Sequence, residues 1–323
     1  MNRSQSGTPN QSDRRKVQRK AGMAIAVLLA TVAFASPNPV QALEIAVSLP
    51  TLAAIAREVA GPHATIHALV SPRQDPHYAD ARPNLILAIN RADLLISNGL
   101  DLEVGWLPAL VRQARNPKIV RGLPGWFEAA MHVKRLQIPM RIDRSLGDIH
   151  AGGNPHFGWD PRAAALIAEA LGRLFGQLDP QHAADFATQA TAFAGKMRAL
   201  AAEETKRFGQ LTAQGPLFVA YHDSLTYLVD WLNLKQVGTV EPRPGIPPDP
   251  TQLAKVVTTM RALNCKVLIQ EEYYPRTTTE QVARLTQGRL AVLPGGVDFA
   301  GGQRYEAYVR AVTAAMYAVL QVK

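Results

Sequence analysis

The chain has 323 residues, 47% of them hydrophobic and 19% charged, with 35 Lys and Arg against 26 Asp and Glu. That balance predicts a packed globular protein with room for two domains, and it excludes a disordered or fibrous chain. A single cysteine, Cys265, excludes internal disulfides and any multi-cysteine metal centre.

Residues 1–42 read as an export signal. Arg14, Arg15, Lys16, Arg19 and Lys20 form a basic start, and Ala21 to Ala35 is an apolar run too short to span a bilayer comfortably. Val40-Gln41-Ala42 offers a small-residue cleavage site, with Ala33-Phe34-Ala35 as a second choice. No cysteine follows the apolar run, so the sequence predicts no lipid anchor and a soluble protein of the periplasm. This segment carries six basic and one acidic side chain, which leaves 29 basic against 25 acidic in the remainder. An excess that mild argues against nucleic acid as a partner.

From Leu43 the chain alternates short apolar runs with helical patterns. Strands are predicted over 43–49, 64–70 and 93–98, with helices over 51–60 and 102–114. Residues 121–153, rich in glycine and proline, read as irregular connections. A helix over 161–177 stops at Asp179-Pro180, and a second, over 181–211, has no proline to break it. The strand–helix rhythm then restarts, with strands over 217–221, 235–240, 266–270 and 290–293. Helices over 224–232, 249–263, 277–286 and 305–322 alternate with them. The pattern predicts two Rossmann-like α/β lobes, 43–178 and 212–323, joined by a long rigid backbone helix within 179–211.

Three histidines share a kind of context, each beside a strand end or a helix start. They lie in Asp75-Pro76-His77-Tyr78, Asn154-Pro155-His156-Phe157 and Tyr221-His222-Asp223-Ser224. Neutral imidazole is a favoured ligand for zinc and related ions. Gaps of 79 and 66 residues rule out a helix-borne pair, so any shared site must be assembled by the fold. Ligands of open α/β sheets bind beyond the carboxyl ends of strands, which places these three in a cleft between the lobes. Glu271, at the end of its strand, and Asp298, after the last strand, could add a carboxylate. His63, His67, His132, His150 and His182 read as surface residues, and Cys265 as a buried, unreactive thiol.

The ordered motifs resemble the metal-specific solute-binding proteins of ABC importers, the zinc- and manganese-binding cluster A-I family. They comprise Asp75-Pro76-His77-Tyr78, Asn90 through Glu103, Gly153-Asn154-Pro155-His156 with Asp160-Pro161, Ala220-Tyr221-His222-Asp223, Glu241 through Pro248, and Glu271. The resemblance implies a monomeric receptor, not an enzyme, that captures a divalent metal and delivers it to an inner-membrane ABC permease. It puts His77, His156 and His222 on three ligand positions, with Glu271, Asp298 or a water as the fourth. The family's acidic ligand directly follows the last strand, where this chain has Leu293-Pro294-Gly295-Gly296. Three imidazoles favour Zn²⁺, and Mn²⁺ less, because manganese prefers oxygen donors. The alternative readings are an exported zinc metallohydrolase and a solute-binding protein for an organic ligand.

Overall fold

Leu43–Val47 (β1) sits at the centre of its sheet because its side chains are apolar on both faces, Ile45, Ala46 and Val47 all fully buried. It pairs in parallel with Ala64–Ala68 (β2) on one side and Leu94–Ser97 (β3) on the other, Ile45 facing both Ile66 and Leu94. Trp126–Glu128 (β4) adds the outer strand beside β3, giving the order β2-β1-β3-β4. The computed structural model describes residues 1–2, 42–80, 82–140, 150–211, 216–243 and 245–321. The export signal read over 1–42 lies almost wholly outside them, and residues 42–323 form one compact unit.

The second sheet repeats the plan. Leu217–Ala220 (β5), Lys235–Thr239 (β6), Val267–Glu271 (β7) and Arg289–Leu293 (β8) lie parallel in the order β6-β5-β7-β8. Both sheets therefore reverse strand order beside their first strand, the place where α/β sheets open a crevice. Helices Pro50–Ala60 (α1), Pro83–Arg91 (α2), Leu107–Ala114 (α3) and Pro161–Leu178 (α4) belong with the first sheet. Thr226–Leu232 (α6), Pro250–Ala262 (α7), Arg276–Thr286 (α8) and Tyr305–Leu320 (α9) belong with the second.

Ala183–Phe208 (α5) runs between them, 26 residues long, or about 39 Å. Its buried side chains Phe186, Ala190, Phe193, Met197, Leu200 and Phe208 make one stripe along its whole length. The stripe touches both halves. Phe175 of α4 meets Phe186, Tyr305 of α9 meets Phe193, and Trp231 of α6 donates its indole N–H to the Ala201 carbonyl at 3.1 Å. One contiguous apolar core results, extending from Ile45 and Phe157 through Phe193 to Tyr305 and Met316.

Three local expectations needed correction. Pro83–Arg91 is helical although the sequence pattern assigned it nothing, because only Leu85 and Ile89 are buried and so short a stripe barely registers as periodic. The helix expected over 102–114 starts at Leu107, because Gly99, Leu100 and Asp101 all adopt positive φ and spend the preceding residues in turns. The stretch over 121–153 read as irregular contains β4, an outer strand too short to show alternation.

The α4–α5 contact is tight at Gly172. A Cβ there would lie 2.6 Å from Ala190 Cβ and 3.2 Å from the Phe186 carbonyl oxygen. Gly195, by contrast, faces open space on α5. Gly172→Leu is expected to destabilise the protein by about 1–3 kcal/mol through overpacking. Gly195→Ala should stabilise it by about 1 kcal/mol through helix propensity. Urea denaturation of both variants checks the pair; equal midpoints would refute the packing argument.

Candidate metal centre

Two of the three motif histidines are set by the same local device. In Asp75-Pro76-His77, Asp75 Oδ1 accepts both the backbone N–H of His77 at 3.0 Å and its ring Nδ1–H at 2.7 Å. In Asn154-Pro155-His156, Asn154 Oδ1 does the same at 3.0 and 2.9 Å. The side chain forms an Asx-type turn over a proline whose φ is already fixed, so little freedom is lost in aiming the imidazole. Each turn is then tied to the first lobe through its proline carbonyl. Trp106 Nε1 donates to Pro76 O at 3.0 Å, and Asn98 Nδ2 to Pro155 O at 2.9 Å.

His222 is held differently. It follows β5 directly, and its Nδ1 meets Glu241 Oε2 at 2.6 Å beyond the end of β6. The other oxygen of Glu241 accepts from Gly245 N at 2.9 Å, so both lone-pair sites are in use.

These partners fix the tautomers. Asn154 Nδ2 donates to Gln137 Oε1 and the Asp223 carbonyl, both at 2.8 Å, which orients the amide with Oδ1 towards His156. The His156 proton is therefore on Nδ1. The carboxylates of Asp75 and Glu241 impose the same tautomer on His77 and His222. Nε2 is left as the free donor in all three rings.

The fold brings these rings together at the carboxyl ends of the strands. Their centres lie 5.2 Å (His77–His156), 5.3 Å (His77–His222) and 5.1 Å (His156–His222) apart. Their donor atoms all fall within 4.8 Å of one another. All three are buried, and Nε2 of His77 and of His156 has no hydrogen-bond partner among the described residues. Buried polar atoms are rarely left so without a reason, and a cation is the natural occupant of a ring of lone pairs.

Burial, and then the positive charges of His222, His77 and His150, hold the pKa of His156 well below the usual histidine range. Burial also acts to lower His222, but the hydrogen bond and charge of Glu241, with Glu271 and Asp75 behind them, outweigh it and hold His222 above that range. Burial would raise Asp75, yet its hydrogen bonds and charge contact with His77 keep it below the carboxylate range.

The two acidic candidates stand apart from the tight cluster. Glu271 is buried at the end of β7, where Ser224 Oγ donates to its Oε1. Asp298 is exposed and accepts from Gly301 N at 3.0 Å within its own loop. His67 and His132 are exposed, and His63 and His182 stack on each other at the surface. Cys265 is buried and its thiol is pushed up by that burial. His150 departs from expectation: its ring centre lies 5.5 Å from His77 and 6.1 Å from His156, with Nε2 buried. Its neighbours Ala151, Gly152 and Gly153 carry no strand or helix signal, so nothing local pointed to the cluster.

The family model described as ZnuA, zinc-uptake complex component A periplasmic, matches residues 45–319. The chain belongs to this zinc-uptake component A family. The resemblance to metal-importer solute-binding proteins, read from the motifs, is thereby borne out. A curated relative of this zinc-uptake component A chain is the iron-binding protein YfeA of Yersinia pestis. It is 23% identical over 267 residues, covering 82% of this chain and 81% of that protein. Among solved structures, a crystal structure of ZnuA aligns with a TM-score of 0.73 at 20% identity, covering 86% of this chain and 99% of that one. FpvC of Pseudomonas aeruginosa in complex with Mn²⁺ aligns at 0.72 and 25% identity, covering 87% and 98%. A second FpvC structure holds Ni²⁺ and aligns at 0.72 and 24% identity, covering 87% and 97%. These neighbours share the fold of two parallel sheets flanked by helices. Among the described residues, no helix of this family member is long and apolar enough to cross a membrane.

Proposed function

We infer that the protein is a periplasmic receptor that takes up one zinc ion between its lobes through Nε2 of His77, His156 and His222 and hands it to an ABC permease. The observation that carries this reading is the convergence of three buried imidazoles whose Nδ1 atoms are each spoken for by an oxygen. Carboxylate- or amide-oriented histidines of this kind are how proteins present imidazole to a metal. A nitrogen-rich donor set supports zinc over manganese, which binds best to oxygen. Relatives named for iron, and a neighbour holding manganese or nickel, make the choice of ion the finer claim. Binding requires no turnover: the ion exchanges water for imidazole and links the two lobes.

Elemental analysis of the purified chain without residues 1–42, followed by zinc titration of the chelator-stripped protein, tests the reading. One tight zinc per chain that manganese displaces poorly is expected. A chain that takes up no zinc, or prefers manganese in competition, overturns it.

The raised pKa of His222 adds a pH signature. A proton held above the ordinary histidine value of about 6.5 competes with the ion, so zinc affinity should decline as pH falls through that raised value. His156, held low, adds no such competition. Glu241→Gln removes the charge that retains the proton on His222. It should weaken binding about 10–100-fold at pH 8 and move the pH-dependent decline to lower pH. Competition with a chromophoric chelator between pH 8 and 6 reads both effects, and superimposable profiles for the two proteins would refute them.

A further inference from the structure

We propose that His150 is the fourth ligand, so that the centre is a four-imidazole site rather than three imidazoles and a carboxylate. This rests on the receptor reading above and deepens it.

His150 shares the features that single out the other three. Burial is one: its Nε2 is out of contact with solvent and has no hydrogen-bond partner among the described residues, the same state as Nε2 of His77 and His156. Orientation is another. The His150 ring makes a backbone hydrogen bond to Leu100, and because Nε2 is unpartnered the bonded atom is Nδ1, donating to the Leu100 carbonyl. His150 therefore presents the same tautomer as His77, His156 and His222. Leu100 holds a positive φ of 54°, a conformation that a branched side chain resists. Strain of this kind persists where the surroundings impose it, and it is concentrated at working sites.

Position agrees with chemistry. The His150 ring centre is 5.5 Å from that of His77, close to the 5.2 and 5.3 Å that separate His77 from the other two. The tight donor set within 4.8 Å contains His77, His156 and His222. His150 joins it by a side-chain rotation that breaks no hydrogen bond of Nε2.

The rival oxygen donors are committed or absent. Glu271 Oε1 is taken by Ser224, and Asp298 is turned into its own surface loop. Beyond β8 the chain offers Gly295 and Gly296 at the wall of the cavity that His156 also lines. No side chain fits at Gly295: an added Cβ would lie 2.5 Å from the Pro72 carbonyl oxygen and 2.4 Å from the Tyr273 ring. The second lobe has closed that approach with Tyr273, and the first lobe supplies a nitrogen from the opposite side. Four neutral imidazoles suit zinc, nickel or copper and give manganese no oxygen at all.

X-ray absorption of the zinc-loaded protein reads the ligands directly. Four imidazole scatterers at about 2.0–2.1 Å are expected, falling to three with a light oxygen scatterer in His150→Ala. That variant should lose at least the roughly 10–100-fold in zinc affinity that an outer-shell change costs. His150→Asp should narrow the preference for zinc over manganese. Three imidazoles and an oxygen in the native protein, or native affinity in His150→Ala, overturns this proposal and leaves the receptor reading standing. Absence of any zinc binding in the native chain overturns both.

Discussion

Alanine at His222 is expected to weaken zinc binding by more than the roughly 100-fold upper end of outer-shell effects, with the fold retained. His222 is the second lobe's contribution to the cluster, so its loss leaves the ion held from one side. Its removal also strands Glu241, which is buried and retains only the Gly245 N–H as partner. An unmatched buried acceptor costs about 1–3 kcal/mol, so the apo variant should unfold at a somewhat lower urea concentration while keeping its cooperativity. His67→Ala is the control, because His67 is exposed and pairs with Glu44 at 2.9 Å far from the cluster. Isothermal titration with zinc separates the two variants. Near-native affinity in His222→Ala would remove this residue from the site.

Stripping the metal should lower the melting temperature substantially. A ligand present at about 1,000 times its dissociation constant stabilises the native state by about 4 kcal/mol. In a protein of this size each kcal/mol moves the midpoint by roughly 2–4 °C, so saturating zinc should raise it by about 8–16 °C. The physical source lies in the cluster itself. Without an ion, buried Nε2 atoms of His77 and His156 have given up water and gained no partner, and the ion relieves that penalty. Scanning calorimetry with and without chelator makes the measurement. A shift below about 1 °C at saturating zinc, or an undiminished shift in His222→Ala, would contradict the argument.

The sequence showed the architecture well because the central strands are apolar on both faces and the long helix lacks breakers. Val267–Glu271 is buried throughout, and Phe186 to Phe208 repeats at helical spacing. It showed less where elements are short or peripheral. Trp126–Glu128 has three residues and Pro83–Arg91 buries two side chains, too few for a period to emerge. His77, His156 and His222 were legible through their contexts, and the aspartate or asparagine two residues before each of the first two is a local signal of the Asx turn. Glu241 was quoted only as part of a motif, because its role depends on β5 and β6 lying side by side. His150 was misread as a surface residue. Its ring is brought to the cluster by long-range packing, and its partner is a backbone carbonyl that leaves no trace in the sequence.

The unbroken core along the long helix sets a mechanical limit on how cargo can leave. Swinging the two sheets apart by a side chain's width would wet about 300 Å² of apolar surface, roughly 7–8 kcal/mol at 25 cal/mol per Å². That is comparable to the whole stability of an ordinary domain. A wide yawn of the lobes is therefore too rare to set the unloading rate. The exit has to be local, through the rim beside the exposed Tyr78, and the membrane partner acts as a lever on one loop instead of prising open a jaw.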